Sequence, residues 1–147
     1  MNITDYFAVE PLIVEHIKTS IPELLEVNTP FNVDDMLDSS NGDKTVSVIY
    51  YGDRMGETSG KGKVSVQYQQ WLVVLTVRDP AAQSGHTNSI RAYANPLILK
   101  LLDAMQGFNP NITAYRQFLR ADSPVTAGTA AGFAYFPFMF ETQMFIQ

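Results

Sequence analysis

The chain has 147 residues, 46% hydrophobic and 17% charged, and ten Lys and Arg against fifteen Asp and Glu leave a formal charge of −5. That length suits one domain spanning 1–147 with a real core, and the acidity argues against gripping a phosphate backbone. The absence of Cys removes disulfide scaffolds, thiol catalysis and thiolate zinc sites.

Asp5 and Glu10 follow Met1 with no basic start, unlike a Sec-type signal, and no apolar run has the length to span a bilayer. The sequence therefore reads as a soluble, intracellularly made domain with no membrane partner. From Met1 to Ile21, Val9, Ile13, Ile17 and Ile21 recur at helical spacing, with Thr4 or Asp5 as caps and Pro11 at the first helical position. A short strand is expected within Glu23–Asn32, with Leu25 and Val27 facing inward. Val33 to Leu37 reads as no more than a helical turn, and residues 39–43 as a loop.

Thr45 to Tyr51 is β-branched and aromatic, as a strand requires. Residues 52–63, punctuated by Gly52, Gly56, Gly60 and Gly62, read as a long connection. Val64 to Arg78 returns as a strand whose apolar residues change phase at Gln69-Gln70, predicting a bulge there or burial on both faces beyond it. Asp79-Pro80 ends that strand. A second amphipathic helix then carries Ile90, Tyr93, Leu97, Leu101 and Met105, kinked or divided at Pro96 and ended by Gly107.

Tyr115 to Ala121 reads as a strand with Arg116 and Arg120 on one face, and 123–132 as a second long connection. Phe133 to Ile146 closes the chain as a strand with an edge or bulge at Pro137. The order predicts an α+β fold: an antiparallel sheet with two helices packed on one face and long hairpin loops.

Little of this carries chemistry. His16 and His86 lie on different elements; an exposed helix position accounts for His16, and a cap or a solvated position for His86. The glycines at 56, 60 and 62 with Lys61 and Lys63 fail the phosphate-loop pattern, because no Ser or Thr follows either Lys and the segment joins two strands. Asp34, Asp35, Asp38 and Asp43 lack the register of a calcium loop and read as a solvated acidic face. No nucleophile elbow or constellation of nucleophile, base and orienter is present. The reading is of a protein with no catalytic, cofactor or metal residues.

Two features exceed what a monomeric globule needs. The first is the pair of long connections. Arg54, Lys61 and Lys63 place positive charge on the first of them, a candidate partner-binding loop for an acidic surface. The second is the aromatic load of the last strand. Tyr135, Phe136, Phe138 and Phe140 lie on both faces, more than two helices on one face can shelter, which makes this a candidate subunit-interface strand and predicts an obligate oligomer.

The order and pattern of these elements resemble the phage tail terminator proteins of the lambda-type and Mu-like kind. The resemblance is carried by Pro11–Ile17, by Trp71–Arg78, by Pro96–Leu102 and by the ending Phe138-Met139-Phe140-Glu141-Thr142. It implies a virion structural protein of the tail and neck, made in the host cytoplasm, that forms a homohexameric ring on the tail tube. Such a ring stops tube polymerisation and presents a surface for head joining. The implied partners are other copies of the chain, the tail tube protein and a head-completion or neck protein, with DNA passing through an acidic lumen without specific binding. Two alternatives stay open: another neck, head–tail joining or tube-like ring protein, and a small ligand-binding module that uses the aromatic last strand as a pocket.

Overall fold

A computed structural model describes residues 4–39, 42–78 and 88–146. Among them, three α-helices surround a six-stranded sheet. The helices are α1 (Val9–Ser20), α2 (Val33–Ser39) and α3 (Asn88–Met105). The strands are β1 (Glu26–Asn28), β2 (Thr45–Ser59), β3 (Val64–Arg78), β4 (Tyr115–Ala121), β5 (Gly128–Ala130) and β6 (Phe133–Ile146). The sheet runs β1-β2-β3-β6-β4, with β5 added beside β6. Every pairing is antiparallel except β1 with β2, so the α+β fold is as expected and the sheet is mixed.

α1 forms because its apolar residues repeat every fourth position: Val9, Ile13 and Ile17 are wholly buried, as is Ile21 just beyond the helix. The helix begins two residues ahead of Pro11, which falls in the first turn, where backbone N–H groups have no intrahelical partner anyway. α3 continues through Pro96 as one helix. Gly107, at φ +77°, follows its end and donates its N–H to the carbonyl of Phe118, tying the helix terminus to β4. α1 and α3 cover one face of the sheet over Val46, Val48, Trp71, Val73, Leu75 and Phe140.

α2 was not expected as a helix. Its seven residues are too few for a periodic stripe, yet Met36 is buried against Ile49, Leu72, Val74, Tyr135 and Met139 on the other face. β3 is thus buried on both sides from Trp71 to Val77. Its pairing with β6 is unbroken from Ser65 to Arg78, so the phase change marks burial on both faces and no bulge in β3 itself. The irregularities of the β2–β3 pairing lie in β2, one extra residue between Tyr50 and Gly52 and another between Met55 and Thr58.

Residues 52–59 are therefore strand and not connection. Their glycines mark distortions of a strand that runs on to Ser59. A Cβ on Gly56 would stand 2.8 Å from the carbonyl oxygen of Val66, which excludes a side chain at that point. The hairpin closes through Gly60-Lys61-Gly62, all three at positive φ. The second long connection also holds a strand, β5. Leu25, expected inward, precedes β1 and is exposed, while Val27 is buried. Asp79-Pro80, His86 and the lead into α3 lie outside the described residues.

Candidate functional site

A polar cluster positions the N-terminal segment on the helical face, where the apolar side chains of β3 give way to Gln67 and Gln69. Both amides are buried. Gln67 Nε2 donates to the Tyr6 hydroxyl at 2.6 Å, and Gln69 Nε2 to the Tyr6 carbonyl at 2.7 Å. Gln69 Oε1 in turn accepts from the indole N–H of Trp71 at 3.0 Å, so that amide is used at both ends. The Tyr6 hydroxyl donates to Asp53, whose other oxygen accepts from Tyr50 at 2.9 Å. The extra residue after Tyr50 is what puts Tyr50 and Asp53 on the same face. Burial, then the hydrogen bond to the Asp53 carboxylate, holds both tyrosine hydroxyls above their ordinary pKa. Tyr115 closes the cluster by donating to the carbonyls of Asp5 and Tyr6.

Phe7 is thereby fixed with its ring 5.0 Å from that of Tyr50. It forms one wall of a concavity of about 860 Å³, which Phe31, Tyr51, Glu10, Asp34 and Val125 also line. Phe31 is 85% exposed there, and Phe7 and Tyr51 about half exposed. Sequence reading missed this groove. Its walls come from separate segments, and no local spacing of Phe7, Phe31 and Tyr51 announces it.

The three cations proposed for one loop are separated. Lys61 and Lys63 are exposed at the hairpin tip. Arg54 lies within β2, forks onto Glu141 at 3.0 and 3.1 Å, and stacks 4.0 Å from the Tyr68 ring centre. Glu141 also accepts from Gln70 at 2.8 Å, and the Arg54 guanidinium holds its carboxyl below the ordinary carboxylate range. Arg54 thus ties β2 to β6 and is no part of the tip.

The four aromatic residues of β6 divide in the same way. Phe140 is 0% exposed in the core under the helices and Tyr135 is 7% exposed in the core beneath α2. Phe136 and Phe138 are half-buried and keep open surface. Pro137 sits where neither β5 nor β4 reaches the outer edge of β6, the expected place for a residue without an N–H. Arg116 and Arg120, expected on one face, are on opposite faces. One extra residue between Tyr115 and Phe118 keeps both of those in the core and leaves Arg116 over Phe145 and Arg120 over Phe138.

His16 is not a free surface residue either. Its Nε2 lies 2.8 Å from the carbonyl of Ala104 and its ring stacks at 4.0 Å on Phe108, joining α1 to the end of α3. Asp43 of the acidic set accepts from the Arg78 backbone and from the Tyr93 hydroxyl, fixing the start of β2 against α3. Among the described residues no three His, Asp or Glu side chains converge as a metal site would require, and no helix is long and apolar enough to cross a membrane.

The geometry is that of a scaffold with unlike edges and a projecting charged tip. A family model described as phage tail terminator protein matches residues 3–147. The chain belongs to the phage tail terminator family. No curated protein matches it beyond that. Membership in the tail terminator family gives it a structural role in the phage tail, as a component of the virion.

Proposed function

We propose that this tail terminator caps the end of the tail tube as a closed ring of identical subunits, ends tube polymerisation and offers its far surface to the head-joining proteins. The observation that carries the reading is the family match across nearly the whole chain. Six copies are the proposed number.

The rigid wall of the ring is the long β2–β3–β6 unit, in which each of β2 and β3 has 15 residues, about 50 Å of strand. The tip carrying Lys61 and Lys63 projects from one end of that unit and suits a contact with an acidic neighbour, the tube end. The half-buried Phe136 and Phe138 add apolar surface for a neighbour; Tyr135 and Phe140 are occupied inside their own subunit. The net charge of −5 suits a lumen that lets duplex DNA slide without holding it.

The test is a tube-assembly assay. Purified tail tube protein is induced to polymerise with and without this chain, and tube lengths are read by negative-stain microscopy. Shorter tubes that each carry one terminal ring are the expected result. Tube growth unchanged by a stoichiometric excess, or the chain itself growing into open-ended tubes, overturns the proposal.

A further inference from the structure

The sheet has two unlike edges. At one, β1 covers β2 only at Thr45–Ser47, so from Val48 onward no strand of the described chain pairs with the outer side of β2. The 860 Å³ groove straddles that bare edge. On the helical side it offers Phe7, Tyr50 and Glu10; across the edge lie Ile49, Asp34 and Val125. Glu10 is half-buried, burial alone raises its pKa, and neither ion pair found among the described residues includes it. Asp34 of α2, a helix that also carries Asp35 and Asp38, lines the same groove. An unpaired strand edge, an aromatic patch and an unpartnered carboxylate together describe a surface built for a cationic, apolar strand.

The other edge presents such a strand. On β4 the Phe118 backbone is bonded outward to Phe108 and Gly107, so the edge is closed at its centre. Beyond it Leu119 is 61% exposed, and the exposed Arg120 guanidinium lies over the Phe138 ring. Leu119 pairs with Glu141 and Arg120 with Phe140, which puts Leu119 on the face away from α1 and α3 and Arg120 on their side.

We propose that the Leu119–Ala121 end of β4 in one copy seats in the β2 groove of the next, with Leu119 against Phe31 and Tyr51 and Arg120 at Glu10. The proposal deepens the ring reading above and rests on it. A second copy is the occupant because the Glu10 carboxylate and the Arg120 cation stand at opposite edges of one sheet and both on its helical side, so continuing the sheet from copy to copy brings them together while Leu119 falls on the side of Ile49 and Val125. A contact between unlike edges is head-to-tail, and such contacts close into rings when the rotation permits.

The native chain has no Cys, so an introduced pair is unambiguous. Cysteines replacing Tyr51 and Leu119 are separated within one chain by β3 and β6, about 14 Å of interstrand spacing, beyond the reach of a disulfide. Any bond therefore joins two copies. Under mild oxidation the double variant Y51C/L119C is expected to give a covalent ladder ending at the size of the wild-type assembly, while Y51C and L119C alone stay monomeric on denaturing gels. A second arm exchanges charges: R120E and E10K each weaken assembly about tenfold, and the two together restore it to within about threefold, with circular dichroism confirming that each variant is folded. If the wild type assembles but the ladder is absent, a single variant links to itself, or the charge exchange has no effect, this contact is wrong and the ring reading stands. A wild type that stays monomeric defeats both.

Discussion

Replacing Tyr6 by Phe removes one hydroxyl from the centre of the cluster that fixes the N-terminal segment. Gln67, 6% exposed, then loses its 2.6 Å acceptor and keeps only a 3.5 Å contact with the Met144 sulfur, while Asp53 keeps Tyr50. A buried amide left without a proper acceptor costs about 1–3 kcal/mol, more than the net value of an exposed hydrogen bond. For a chain of 147 residues that corresponds to a fall in Tm of about 3–10 °C. Urea unfolding followed by tryptophan fluorescence reads it directly, since Trp71, the only Trp, donates to Gln69 in the same cluster. Adding Gln67→Leu to Tyr6→Phe removes both partners and is expected to recover part of the loss, a coupling measurable in a double-mutant cycle. Wild-type stability also falls as pH rises above about 10, the ordinary tyrosine value, because the folded hydroxyl resists ionisation and the unfolded one does not; Tyr6→Phe flattens that limb. A Tyr6→Phe protein within about 0.3 kcal/mol of wild type, with an unchanged alkaline limb, refutes the reasoning.

Two further outcomes follow from single groups. The Thr76 hydroxyl is buried without a partner among the described residues, so Thr76→Val is expected to stabilise by about 1 kcal/mol; a destabilised variant in urea titration contradicts this. Glu141 has its folded pKa lowered by Arg54 and then by Gln70, so its contribution is present above the ordinary carboxylate pKa and is lost as pH falls through the lowered one. Glu141→Gln is expected to flatten the stability profile between about pH 5 and pH 3, and an unchanged acid limb in denaturant titrations counts against the pairing.

Elements with long internal periodicity are legible in the sequence itself. The four-residue repeat of α1, the stripe of α3 through Pro96 and the long apolar alternation of β6 each encode a buried face many residues long. α2 escaped because seven residues, three of them acidic, cannot show a stripe; the Asn32 side chain, accepting from the Asp35 N–H at 2.8 Å, and tertiary contact around Met36 together hold them helical. The far half of β2 escaped because Gly52 and Gly56 act as breakers in a local reading, whereas in the sheet each accompanies one extra residue. The groove was invisible for a different reason. Phe7, Phe31 and Tyr51 share no element, and only the Tyr6 anchor and the bare β2 edge bring them together. Conversely, the aromatic strand was visible but over-read: with α2 covering the second face, Tyr135 and Phe140 need no neighbour, and the case for assembly moves to the edges of the sheet.

The central claim is that copies of this chain join into a ring of fixed size, and native mass spectrometry of the wild-type protein at micromolar concentration addresses it most directly. The account predicts a single closed species, six subunits, that does not grow as concentration rises. A monomer throughout that range, or a distribution that lengthens without limit, contradicts it.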